Sequence, residues 1–203
     1  MMSTFWDRIA CIYDLNEYVF NGKVYKAMLH AVKNAVPEGA KVLECAAGTG
    51  EISVYISPKC SEIICTDQSA EMLAMAVKKA EKHHAENIVF EKRDIFSLED
   101  ADCTYDAVIA GNVLHLLDDP QAAFNELYRV TKHGGRIILP TFLTDEKRSQ
   151  LTLKLYRLIG FRPPAGYTAD TYGKMLRSLT KDRLWLKKID GNIPLGFAMI
   201  EKE

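Results

Sequence analysis

The stretch Lys41-Val42-Leu43-Glu44-Cys45-Ala46-Ala47-Gly48-Thr49-Gly50-Glu51 leaves few folds open to this chain. A short apolar run ends in an acid, crosses a loop of small residues and starts a helix. A second apolar run, Glu62-Ile63-Ile64-Cys65-Thr66, then ends at another acid, Asp67. Strand, tight loop, helix and strand in this order predict a parallel βαβ unit, with both acids at the carboxyl edge of the sheet. In open α/β sheets that edge is where ligands bind. The spacing suits a nucleoside-sized pocket.

The rest of the chain repeats the alternation. Residues 1–36 read as helical, with Phe5, Ile9 and Ile12, then Val24, Met28 and Leu29, at helical spacing. Asn21-Gly22 is expected to break this segment in two, and Pro37-Glu38-Gly39 to end it. Helices are predicted over Glu51–Ile56 and from a Ser69 cap onward, where Met72, Leu73, Ala76, Val77 and Ala80 form one face. Strands are predicted at Ile88–Glu91, Tyr105–Ala110 and Arg136–Leu139. Between the last two, Asp118-Asp119-Pro120 opens a helix and His133-Gly134-Gly135 closes it. Helices over Glu146–Ile159 and Ala169–Thr180 and a hairpin, Leu184–Ile189 with Leu195–Ile200, complete the expectation. The result is one domain over residues 1–203, an α/β doubly wound sheet closed by an antiparallel hairpin.

Composition narrows the function. Twenty-six basic and 27 acidic residues give a net charge of −1, so no global field attracts nucleic acid or anionic lipid. No apolar run approaches the roughly 20 residues of a membrane span. The five cysteines (Cys11, Cys45, Cys60, Cys65 and Cys103) are scattered without a CxxC pair, which argues against a disulfide framework or a zinc site. A cytoplasmic setting is expected, and no metal.

Gly48 and Gly50 can take positive φ and bring the loop backbone close to a ligand. In a dinucleotide fold a third glycine completes the pyrophosphate site, but its position here is Ser53. In its place Glu44 precedes the loop. A carboxylate there repels pyrophosphate and suits an ammonium group, which favours an aminoacyl nucleoside over NAD. Asp67 is placed to accept from both ribose hydroxyls; the competing reading is a helix cap, since Gln68-Ser69 follows. Asp94 can accept from a base amino group while Ile95 covers the ring.

Four segments carry a family resemblance. Val42 to Gly50 resembles the first motif of class I S-adenosylmethionine-dependent methyltransferases, and Asp67-Gln68-Ser69 with Met72-Leu73 resembles the D-x-S-x-x-M-L that follows it. Asp106 to His115 is similar to that family's fourth-strand segment. Leu127-Tyr128-Arg129-Val130-Thr131-Lys132-His133-Gly134-Gly135 resembles its L-x-R-V-L-K-P-G-G turn, with His133 in place of proline. The resemblance implies a seven-stranded, Rossmann-like, mostly parallel sheet with a reversed last strand, and S-adenosyl-L-methionine as cofactor. It implies that Glu44, Ala46, Gly48, Thr49 and Gly50 hold the methionine end and Asp67 the ribose. Gln68, Met72, Asp94 and Ile95 would then surround the adenine, with Asn112 beneath the sulfonium.

The opening, Phe5-Trp6-Asp7-Arg8-Ile9-Ala10-Cys11-Ile12-Tyr13-Asp14-Leu15-Asn16, resembles that of ubiquinone/menaquinone C-methyltransferases, and bacterial phospholipid N-methyltransferases start similarly. By that resemblance residues 1–36 form a helical lid in which Trp6 covers the site and Tyr13 contacts cofactor or substrate. Packing of the same aromatics on the sheet is the alternative. Residues 111–118 follow the generic small-molecule pattern instead. His115 is a candidate general base, or a histidine packed at a strand end. A helical insert over 145–182 would face the acceptor, with Tyr156, Arg157, Phe161, Arg162, Tyr167 and Tyr172 as its wall. The expected activity is methyl transfer to a small molecule, lipidic or quinone-like, with no nucleic-acid partner; peripheral membrane contact and oligomeric state stay open. A non-catalytic cofactor-binding module for regulation or assembly is the rival reading.

Overall fold

In the computed structural model, residues 21–144 and 166–203 are described. Helix α1 covers residues 21–35 and leads into strand β1 (Ala40–Glu44). There follow α2 (Glu51–Ile56), β2 (Cys60–Asp67), α3 (Ala70–Lys82), β3 (Ile88–Lys92) and β4 (Tyr105–Ile109). The chain continues through α4 (Pro120–Val130), β5 (Thr131–Phe142), α5 (Ala169–Leu179), β6 (Arg183–Ile189) and β7 (Leu195–Glu201).

The seven strands form one sheet in the order β3-β2-β1-β4-β5-β7-β6. The first five pair in parallel, and β7 runs antiparallel to both β5 and β6. The order reverses between β1 and β4, which puts the topological switch point, and the crevice it opens, at the tips of those two strands.

Central strands are buried on both faces, so adjacent residues serve different layers. Val42, Ile63, Ala107 and Ile138 pack against Val24, Met28 and Val32 of α1 and Ile52 and Ile56 of α2. Their neighbours Leu43, Ile64, Val108 and Ile137 pack with Phe124 and Leu127 of α4 and Tyr172 and Leu176 of α5. Several caps are as the sequence implies. Ser69 Oγ accepts from the Met72 amide at 3.1 Å, and Asp119 accepts from Ala122 at 3.0 Å beside Pro120 in the first turn.

Asn21 and Gly22 are the first described residues of α1, and the Asn21 side-chain amide donates to the Ile193 carbonyl at 2.8 Å, a tether to the β6–β7 turn. Two local expectations are corrected. His133-Gly134-Gly135 does not end α4, which stops at Val130 and passes directly into β5. The two glycines form an irregularity within that strand: Tyr105 pairs with Thr131 but Ala107 with Arg136. A Cβ on Gly135 would stand 2.8 Å from the Lys132 carbonyl oxygen. Tyr172, expected on the acceptor wall, is fully buried and donates to the Leu139 carbonyl, so it belongs to the core. Trp6, Cys11, Tyr13, Tyr156, Arg157, Phe161 and Arg162 lie outside the described residues.

Candidate active site

The loop between β1 and α2 is shaped by three left-handed residues, Ala46 (φ 51°), Gly48 (φ 57°) and Gly50 (φ 70°). The two glycines have different reasons to lack a side chain. A Cβ on Gly48 meets nothing within 4 Å and would project into open space. One on Gly50 would stand 2.8 Å from Ala76 Cβ, so Gly50 lets α3 pack against the loop instead of admitting a ligand.

Most of the loop's amides are committed to the protein. Ala47 N–H donates to the Thr66 carbonyl at 2.9 Å, Gly50 N–H to Ala47 at 3.0 Å, and Gly48 N–H to Asp67 Oδ2 at 2.8 Å. A pyrophosphate nest needs such amides turned toward the ligand. Their engagement here agrees with the broken glycine pattern in ruling against a dinucleotide.

Glu44 is buried, and one carboxylate oxygen accepts from both the amide, at 2.9 Å, and the hydroxyl of Ser53. Ser53 is the third residue of α2, whose cap, Gly50, has no side chain to satisfy the first-turn amides. Glu44 supplies that cap from the neighbouring strand. It therefore braces the loop from behind and is not among the cavity's lining residues. Burial pushes its pKa up to about 7, with the Asp67 charge adding and the Ser53 bonds and Lys79 opposing. A cation bound beyond the loop would favour the ionised form.

A cavity of about 210 Å³ opens at the switch point. Ala46, Gly48, Asp67, Gln68, Met72, Ile95 and Asn112, all expected from the sequence, line it together. Asp67 holds the Gly48 amide on one oxygen and the Ser69 amide on the other, both at 2.8 Å. Both roles foreseen for it are thus compatible: it organises the turn and presents a carboxylate at the β2 tip. Asn112 sits at φ 54°, a conformation asparagine tolerates. It donates its amide to Pro140 at 2.7 Å and accepts from Phe142 at 3.1 Å, pinning β5 to the end of β4.

Other expected residues are not brought to the cavity. Thr49 is buried and its hydroxyl accepts from Lys79 of α3 at 3.0 Å; Gly50 faces Ala76. Asp94 is exposed and its carboxylate accepts from the Phe96 amide at 3.0 Å, closing a local turn. His115 lies on a short 3-10 turn, Leu114–Leu116, with Nδ1 buried and without a hydrogen-bond partner among the described residues. Burial pushes its pKa down to about 4, so the ring is neutral and weakly basic at pH 7.

The structure also adds lining residues that sequence reasoning did not nominate: Arg93, Phe96, Val113, Leu116, Leu117 and Asp118. Four apolar residues in the five-residue stretch 113–117 were the available signal, since a solvated loop rarely carries so many. Arg93 is ion-paired with Glu91 and Asp100, which leaves Asp67 and Asp118 to set the sign of the field at the wall. Apolar groups from α3, the post-β3 loop and the post-β4 loop can enclose a planar ring. A carboxylate at the β2 tip suits a sugar diol, and the acidic field suits a cation. These residues fit an aminoacyl nucleoside with a positive sulfur.

Comparison with known proteins agrees. A family model described as a methyltransferase domain matches residues 42–135, the span of the four motifs. The ubiquinone/menaquinone biosynthesis C-methyltransferase of Bdellovibrio bacteriovorus is 34% identical over 106 residues, 51% of this chain and 45% of that one. The protein of the same name from Bradyrhizobium diazoefficiens is 29% identical over 189 residues, covering 85% of this chain and 74% of its own. This chain thus spans less than half the length of the first of these relatives. Among solved structures, a SAM-dependent methyltransferase from Thermotoga maritima superposes with a TM-score of 0.78 at 17% identity, covering 98% of this chain and 99% of that one.

Proposed function

We propose that this chain is a class I S-adenosylmethionine-dependent methyltransferase that transfers the methyl group of that cofactor to a small quinone-like or lipidic molecule. The observation that carries the reading is Asp67: its carboxylate stands at the mouth of an apolar cavity while both oxygens are oriented by backbone amides. The quinone-like acceptor draws support from the relatives' names and from the cavity's apolar lining.

When bound, the cofactor supplies an electrophilic methyl carbon and its own leaving group, a neutral thioether. The chain's part is binding, orientation and exclusion of water. Asp67 accepts from the ribose, Met72 and Ile95 pack the base with Gln68 at its edge, and the Gly48 backbone passes the amino-acid end. Glu44 acts through the loop it braces. Asn112 fixes the floor where the nucleophile approaches. His115, neutral and near the acceptor side, contributes as a hydrogen-bonding group, since a pKa near 4 makes it a poor proton acceptor at pH 7.

Among the described residues no helix is long and apolar enough to cross a membrane, and no cluster of metal-ligating side chains occurs. The free thiols of Cys45, Cys60, Cys65 and Cys103 suit a reducing, cytoplasmic setting.

The test has two stages. Calorimetry with S-adenosylmethionine and S-adenosylhomocysteine should show saturable binding to the wild type, lost in Asp67→Ala. Incubation with methyl-labelled cofactor and a panel of demethylated quinols and phospholipids should then label one class. Binding without transfer to any acceptor would favour a regulatory module; absence of binding would overturn the reading.

A further inference from the structure

We propose that Arg129 and Glu126 of α4 form a positioning clamp for the nucleobase wall of the cavity, acting through the loop that joins β3 to β4. The inference rests on the reading of that cavity as a nucleoside site. Arg129 is the arginine of the L-x-R-V segment, and nothing in the site so far described uses it.

Its guanidinium donates from Nη2 to the Leu98 carbonyl at 2.7 Å and from Nη1 to the Asp100 carbonyl at 2.7 Å. Nη1 also reaches the Asp102 carboxylate at 2.8 Å. Glu126, one turn earlier, receives Nε at 2.9 Å and Nη2 at 3.0 Å in a bidentate pair. The same Glu126 accepts from the Leu98 amide at 2.8 Å. Both backbone groups of Leu98 are therefore held by one side-chain pair: its N–H by Glu126, its carbonyl by Arg129.

Leu98 lies two residues beyond Phe96 and three beyond Ile95, the residues through which this loop lines the cavity. The loop is tied by its backbone at its two ends, Arg93 N–H donating to the Asp67 carbonyl at 3.2 Å and Cys103 and Thr104 N–H to the Arg129 and Val130 carbonyls at 2.9 and 2.8 Å. Its one bridge, Asp94 to Ser97, is internal. Backbone pairing thus fixes the ends, and the polar side-chain ties hold the stretch between them. A second tie joins in: Asp100, whose carbonyl Arg129 holds, accepts from Tyr105 Oη at 2.7 Å and pairs with Arg93 on the cavity wall. Charge-assisted, bidentate bonds define geometry more sharply than neutral ones, and the planar fork of arginine cannot be reproduced by lysine.

A double-mutant cycle separates positioning from mere stabilisation. Arg129→Lys, Ile95→Ala and the double variant are compared with wild type for S-adenosylhomocysteine affinity by calorimetry and for initial rates. Each single variant is expected to weaken binding about tenfold, and in Arg129→Lys kcat at saturating cofactor holds within about twofold. If Arg129 acts through the wall that Ile95 forms, the double variant loses about ten- to twentyfold. A loss near a hundredfold, the product of independent effects, overturns the clamp, as does unchanged affinity in a folded Arg129→Lys. Should Arg129→Lys fail to fold, Glu126→Gln takes its place, since it keeps an acceptor for the Leu98 amide and breaks the bidentate pair. A wild type that binds well with no loss in either clamp variant refutes the clamp alone; a wild type that does not bind removes the cofactor reading beneath it.

Discussion

Replacing Glu44 by glutamine should shift stability progressively in the variant's favour, relative to wild type, as the pH is raised. The carboxylate is buried behind the loop, and its pKa is pushed up to about 7 from an ordinary 4.5. The sign follows from proton counting. Below pH 4.5 both the folded and unfolded chains carry the proton, and Glu44 imposes no charge penalty. Between 4.5 and 7 the unfolded chain releases it while the folded chain keeps it, so stability falls as pH rises. Above 7 the full cost of ionising a buried group is present. At 1.36 kcal/mol per pH unit the gap between those values amounts to roughly 3 kcal/mol.

Glutamine can still accept from the Ser53 amide and hydroxyl, while its own NH2 needs a partner, an expense of about 1–3 kcal/mol. That expense does not vary with pH. The difference in unfolding free energy between variant and wild type should therefore shift by about 3 kcal/mol from pH 4 to pH 8.5, in the variant's favour. For a chain of this size that is a relative gain of about 6–12 °C in Tm. Urea and thermal unfolding of both proteins across that range measure it. A difference that stays constant with pH, or one that grows in favour of wild type, would refute the assignment of the raised pKa to this carboxylate.

Further outcomes follow from the same geometry. Asp67→Ala should weaken S-adenosylhomocysteine binding at least tenfold, since charge-assisted hydrogen bonds contribute roughly 1.5–3 kcal/mol; unchanged affinity in a folded variant would remove Asp67 from the site. Gly50→Ala should cost more stability than Gly48→Ala, because both sit at positive φ but only the first meets another atom, Ala76 Cβ at 2.8 Å. The strain common to both is about 1–2 kcal/mol and overpacking adds about 1–3; equal Tm values would contradict this. Gly48→Ala should instead lose more cofactor affinity, read by calorimetry. His115→Gln should leave any limb of the pH–rate profile between pH 5.5 and 8 where it is, because a group with a pKa near 4 does not titrate there; a limb that disappears would restore His115 as the base.

How far the sequence reached can be judged from single residues. Element order and type were readable because they depend on neighbours in the chain: Ser69 and Asp119 cap the helices they precede, and short apolar runs buried on both faces mark the central strands. Strand tips were readable too, which located Asp67, Met72 and Ile95 at one cavity. What spacing could not supply was the direction in which a side chain turns. Glu44 and Asp67 both end strands, yet one faces α2 and the other lines the cavity, because only Glu44 lies within reach of an uncapped helix. Thr49 turns to Lys79, 30 residues away, and Asn21 to Ile193, 172 away. Arg129 appeared in a motif but its partners, Leu98 to Asp102, lie about 30 residues earlier.

The sequence by itself determined a parallel βαβ sheet with a ligand crevice at its carboxyl edge, since local propensity and hydrophobic period act between residues a few positions apart. Only the tertiary structure decided which polar groups at that edge line the cavity and which hold the scaffold. A buried donor must be satisfied by whatever acceptor folding brings within about 3 Å, and that acceptor is often distant in sequence.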